Sequence, residues 1–159
     1  MRRLLLFVVA FLWCGFAMGQ SKEFMELYRK AGEVIKEGDT GMTTTEISGK
    51  MLQELLPAKA KGGHVVGRID NIRQIKFDSS SGKGLYLQID SLAAGGKVYE
   101  QMSVINLDGQ KVSVFKAPCG DAKSEYLILI SKDGAALVCD IVGTINMKDI
   151  MGLLYGKQQ

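Results

Sequence analysis

Two short stretches, one cysteine and one histidine in this 159-residue chain have residue types that can do chemistry. Asp39-Thr40-Gly41 spells the tripeptide of aspartic proteases, in which one carboxylate shares a proton with a twin. In those enzymes an apolar strand leads into the aspartate and buries it. Here Glu37 and Gly38 precede it at the end of a helical pattern, so the tripeptide reads as a polar loop. Gly82-Lys83-Gly84 offers the backbone N–H groups of a glycine-rich turn before a helix, the arrangement that cradles phosphate. A P-loop needs a glycine five residues before Gly82 and Ser or Thr after Lys83, where this chain has Phe77 and Gly84, which makes the stretch a turn. His64 is the only histidine, which excludes multi-histidine metal sites. A thiolate with a nearby base is a nucleophile, and Cys119 and His64 both fall in loops, yet no spacing brings them together. No catalytic, cofactor-binding or metal-binding residue is assigned on these grounds.

The segment that sets the compartment comes first in the chain. Arg2 and Arg3, an apolar run from Leu4 to Phe16, and small Ala17 and Gly19 ahead of Gln20 match a secretory leader. The apolar run is shorter than the roughly 20 residues of a membrane-spanning helix. Bulky Trp13 before Cys14 argues against a lipidated cysteine. The expectation is a signal peptide over 1–19, cleavage between Gly19 and Gln20, and one α+β domain over 20–159 working in the periplasm or outside the cell, with no transmembrane span. Arg2 and Arg3 leave with the leader, so Lys+Arg falls from 20 to 18 against 17 Asp+Glu, a net charge of +1. No basic block remains to neutralise a row of phosphates, which argues against nucleic acid as a partner.

Of the three cysteines, Cys119 and Cys139 stay in the exported chain, where disulfides are permitted. Cys119 lies in the loop APCGDAKS and Cys139 mid-strand, pointing inward, so the expectation is a Cys139 that packs as a plain hydrophobe.

The elements follow from spacing. Residues 22–37 put Phe24, Leu27, Tyr28, Ala31 and Ile35 on one helical stripe, with Ser21 as N-cap and Gly38 as stop. MTTTEIS (42–48) suits an edge strand, and Ser48 can cap a short helix carrying Met51, Leu52, Leu55 and Leu56 before Pro57. IDNIRQIKF reads as a strand of imperfect alternation, and LYLQIDSLAAGG as a helix ended by Gly95-Gly96. Strands then follow around Asp108-Gly109 and Asp133-Gly134, the second turn setting Ile128 opposite Cys139. Asn146 with Asp149 resembles a capping box ahead of a last helix striped by Met147, Ile150, Met151 and Leu154.

The expected architecture is α+β: a mainly antiparallel sheet of about five to six strands with helices packed on one face. Tyr126, Ile128 and Ile130, with Leu137, Cys139 and Ile141, are the expected core face. Leu127, Leu129, Val138 and Val142 would form a second face, covered by a further helix or a second copy of the chain, the alternative being an exposed apolar surface.

FMELY, TTTEISGKML, RIDNIRQIKF, YEQMSVINLDGQKVSVF and LVCDIVGTINMKDIMGLL occur in an order that resembles the exported bacterial proteins of the domain of unknown function 4252 family, from about Phe24 to Leu154. The stretch EVIKEGDTG departs from it by its length. The resemblance implies a signal-bearing envelope protein, sometimes encoded near regulators of envelope stress, and brings no catalytic residues with it. The functional expectation is a non-catalytic envelope domain that binds a protein, another subunit (a homo-oligomer) or an envelope component, without cofactors. The alternatives are a regulatory component of an envelope-stress circuit and a small hydrolase using Cys119 or scattered carboxylates.

Overall fold

The computed structural model describes residues 21–38, 41–55, 65–78, 82–120 and 122–156. The leader and its cleavage position, Asp39, Thr40, Leu56, Pro57 and His64 lie outside the described residues. The elements are α1 (Lys22–Lys36), β1 (Met42–Ser48), α2 (Gly49–Leu55), a 3-10 turn (Val66–Arg68), β2 (Ile69–Phe77), α3 (Lys83–Ala94), β3 (Glu100–Leu107), β4 (Gln110–Pro118), β5 (Ser124–Lys132), β6 (Ala135–Gly143) and α4 (Met147–Tyr155). The strands form one six-stranded sheet in the order β1-β2-β6-β5-β4-β3, antiparallel at every pairing. The α+β class and the antiparallel sheet are as the sequence predicts.

Local chemistry accounts for the meander from β3 to β6. Asp108 and Gly109 have φ of 51° and 76°, and Asp133 and Gly134 have 52° and 80°. Positive φ at both central residues is the signature of a type I′ turn, whose twist matches that of the flanking strands. The second turn fixes Ile128 opposite Cys139, as expected. At the start of α1 the Ser21 side chain accepts from the Phe24 N–H, and Gly38 beyond its end has φ 109°. Asn146 and Asp149 form a reciprocal capping box on α4. Arg68 grips the same Asp149 through both guanidinium nitrogens, at 3.0 and 2.9 Å, tying α4 to the 3-10 turn.

The helices divide between the two faces of the sheet, where the sequence reading puts them on one. The first face, carrying Leu127, Leu129, Val138, Ile75, Phe77 and Phe115, lies under α1 and α3, which contribute Phe24, Ala31, Ile89 and Ala93. The second face, carrying Val114, Tyr126, Ile128 and Ile141, packs against Ile150 of α4, with Leu52 of α2 at its side. The two long helices therefore cover the face expected to need outside cover. The reason is in YLILI: β5 is apolar at odd and even positions alike, so both of its sides must leave water, and period alone does not say which one the larger helices take.

Two further departures have local causes. The alternation of β2 is imperfect because the register shifts between Ile69 and Asn71. With that bulge Ile69 and Ile72 join the second face, while Ile75 and Phe77 join the first. In α2 the predicted stripe is mostly unburied: Leu52 packs, whereas Met51 and Leu55 are exposed.

Candidate functional site

Strand register brings the polar residues of the first face together at one end of the sheet. Glu46, Arg73, Asp140 and Leu127 are successive cross-strand neighbours over β1, β2, β6 and β5, and Glu125 lies two residues before Leu127 on the same face. Glu125 and Asp140 are both essentially fully buried, at 1% and 0% exposure. A buried carboxylate needs donors to offset its lost hydration. Glu125 has two: the Tyr99 hydroxyl at 2.6 Å on Oε1 and the Ser21 backbone N–H at 2.7 Å on Oε2. Ser21 Oγ lies 2.5 Å from the Tyr99 oxygen and accepts from the Phe24 N–H. Since the Tyr99 proton is committed to Glu125, the Ser21 hydroxyl donates to Tyr99, and the ring of hydrogen bonds closes. Burial, then the Glu125 charge, raises the Tyr99 pKa far above the usual phenol value, so the hydroxyl stays a donor.

The same end holds a second layer of charge. Arg73 reaches Glu46 at 2.7 Å and lies over the Tyr28 ring, 5.8 Å from its centroid. α1 is thus fastened to the sheet by Ser21 at its start and by Tyr28 about two turns later. These groups are engaged with one another, and the arrangement ties an N-terminal helix to central strands rather than presenting side chains to a substrate. Sequence analysis did not single out Ser21–Tyr99–Glu125 as a group. The available signal was parity: Glu125 sits in phase with Leu127 and Leu129, and Asp140 in phase with Val138 and Val142, so each puts a charge on an apolar face.

Of the residues considered for chemistry, Cys119 and Gly82 are among the described residues. Cys119 follows β4 and is buried, its backbone N–H closing the β4–β5 loop on Lys123 O at 3.2 Å. Burial first, then the charges of Glu125 and Asp140, push its thiol pKa up. Cys139 is half-buried on the opposite face, where Gln74 Nε2 approaches its sulfur at 3.7 Å, and burial raises its pKa to about 11. Two cysteines on opposite faces cannot meet, and no disulfide joins them. Gly82 caps α3 in the left-handed region, at φ 70°, and an added Cβ would come within 2.4 Å of the Phe77 ring. Close packing on Phe77 accounts for that glycine. Among the described residues no group of three or more His, Cys, Asp or Glu could hold a metal ion, and no helix is long and apolar enough to cross a membrane.

The surface feature that invites a partner is β3. It is an edge strand, so one row of its backbone N–H and C=O groups has no neighbour in the sheet. Its side chains include Met102, Val104 and Leu107, exposed at 39%, 41% and 60%. Its only charged side chain is Glu100, at the start. A register shift between Gln101 and Ser103 bends that start and leaves Ser103–Leu107 as a regular open edge. No family model matches this chain, and neither the curated proteins nor the solved structures give a match.

Proposed function

We propose that this chain is an exported, non-catalytic interaction domain of the bacterial cell envelope, a relative of the domain of unknown function 4252 proteins, and that it works by strand addition at β3. The open, almost uncharged edge is the observation that carries the reading, because native sheets ordinarily blunt such an edge with lysines, proline or a covering element. The occupant is the same strand of a second copy. An antiparallel two-fold pairing centred on Ile105 sets Ser103 opposite Leu107 and Val104 opposite Asn106. It brings no like charges together, and it gathers Ile105 and Leu107 of both copies on one side of the joint sheet. The non-catalytic part of the reading is supported by the raised Cys119 thiol and by a Glu125 carboxylate already committed to Ser21 and Tyr99.

A five-residue pairing buries less than the roughly 1,200 Å² of a stable interface, so the association is expected to be weak, on the order of 100 µM. Sedimentation velocity over a concentration series tests it. The purified chain dimerises reversibly, and the Val104→Lys, Leu107→Lys double variant stays monomeric with an unchanged urea midpoint. A wild-type chain that remains monomeric at millimolar concentration overturns the β3 assignment.

A further inference from the structure

At the turn end of the first face, far from the Glu125 ring, register places Lys111, Ser131, Ala136 and Phe77 side by side across β4, β5, β6 and β2. The two middle residues are small, and α3 does not fill the space above them. A pocket of about 360 Å³ results, walled by Phe77, Tyr86 and Leu87, floored by Ser131 and Ala136, and rimmed by Lys111 and the turn from Lys132 to Ala135. Its volume falls near the lower limit for ligand sites, which suits a molecule smaller than a drug or a nucleotide.

The chemistry of the lining narrows the ligand. Phe77 and Tyr86 meet edge to face at 5.7 Å, a fixed apolar wall, and Leu87 extends it with 61% of its surface in water. The Tyr86 hydroxyl is hydrogen-bonded to Ser131, so the polar atoms of the floor satisfy one another and call for no polar partner. The rim differs. Lys111 takes part in no ion pair among the described residues, and the acidic residue of the lining, Asp133, sits in the tight turn. An apolar wall under an unengaged ammonium group matches a molecule with a short apolar tail and one anionic head.

We infer that this pocket binds a medium-chain carboxylate, its tail along Phe77, Tyr86 and Leu87 and its carboxylate at Lys111. The site is separate from the β3 edge, and either assignment can fail without the other.

Titration of the purified, isotopically labelled chain with decanoate, followed by amide chemical shifts, tests it. Decanoate binds with a Kd on the order of 1 mM or tighter, and the shifts concentrate at Phe77, Tyr86, Leu87 and the Ser131–Ala136 turn. Ala136→Leu fills the pocket from its floor, keeps the thermal midpoint of wild type and weakens binding more than about tenfold, as expected when the space itself is lost. Lys111→Glu weakens decanoate by about tenfold while leaving decanol unchanged. Decyltrimethylammonium binding as tightly as decanoate, or shifts centred on β3, overturns the proposal. So does flotation of the chain with phosphatidylglycerol vesicles without binding of soluble decanoate, which would assign Lys111 to a membrane surface.

Discussion

The two ends of the first face are built on the same strands and differ in what they do with space. At the Glu125 end, Tyr99 and Ser21 close over the carboxylate and every proton of Ser21, Tyr99 and the Phe24 amide in the ring has an acceptor. At the turn end, Ser131 and Ala136 leave a void and Lys111 stands at its rim. The contrast teaches that a buried charge is no pointer to function by itself. The Glu125 carboxylate is closed in by its own hydrogen bonds, whereas the small residues Ser131 and Ala136 floor an open pocket.

Substitutions can break this contrast. The largest effect is expected for Glu125→Ala, which leaves the Tyr99 hydroxyl and the Ser21 N–H buried without an acceptor and opens a gap; urea unfolding should show a loss of about 4 kcal/mol. Tyr99→Phe removes one donor to the carboxylate and should cost about 2 kcal/mol by the same measurement. The double substitution should cost less than the sum, because both act through one ring. Gly82→Ala, near the pocket end, puts a methyl into Phe77 and Met42 at a left-handed φ and should cost about 2 kcal/mol, read from the midpoint of thermal unfolding. Ala136→Val, by contrast, grows into open space and should change stability by no more than about 0.5 kcal/mol. A loss there as large as that of Tyr99→Phe would show the turn end to be as tightly packed as the other.

A pH series sharpens the comparison with a site outside both ends. The Arg68 guanidinium, then the Asn146 backbone N–H, hold the Asp149 carboxyl below its ordinary range. A depressed folded-state pKa contributes stability above the unfolded value and loses it as pH falls through the folded one. Wild type should therefore exceed Asp149→Asn in urea midpoint at neutral pH, and the difference should fade below about pH 4. The Arg68 side chain is 38% exposed, so the effect should be the smallest of the series, and added salt should shrink it.

Much of this architecture can be read in particular residues. Asp108-Gly109 and Asp133-Gly134 set two registers, Ser21 and Gly38 bracket α1, and Asn146 with Asp149 opens α4, each by a mechanism contained within a few neighbouring residues. What was not legible depends on distance. Ser21, Tyr99 and Glu125 are 78 and 26 positions apart, so no local window contains their ring. The pocket floor is written as an ordinary serine and an ordinary alanine, which become a void only when register lines them up beneath α3. The choice of face for α1 and α3 was hidden by the two-sided apolarity of β5, and the parity of β2 by its bulge. The open edge was legible only as a weakly charged strand, since its place at the border depends on the crossover from β2.

That crossover also bears on how the chain reaches its final form. β2 meets its inner neighbour only when β6 arrives, as the 65-residue separation of Gln74 and Cys139 records. Such distant pairing slows folding, whereas β3 to β6 can assemble from adjacent segments. The meander should therefore acquire amide-exchange protection first during refolding, with the β1–β2 pair waiting for β6 as its template.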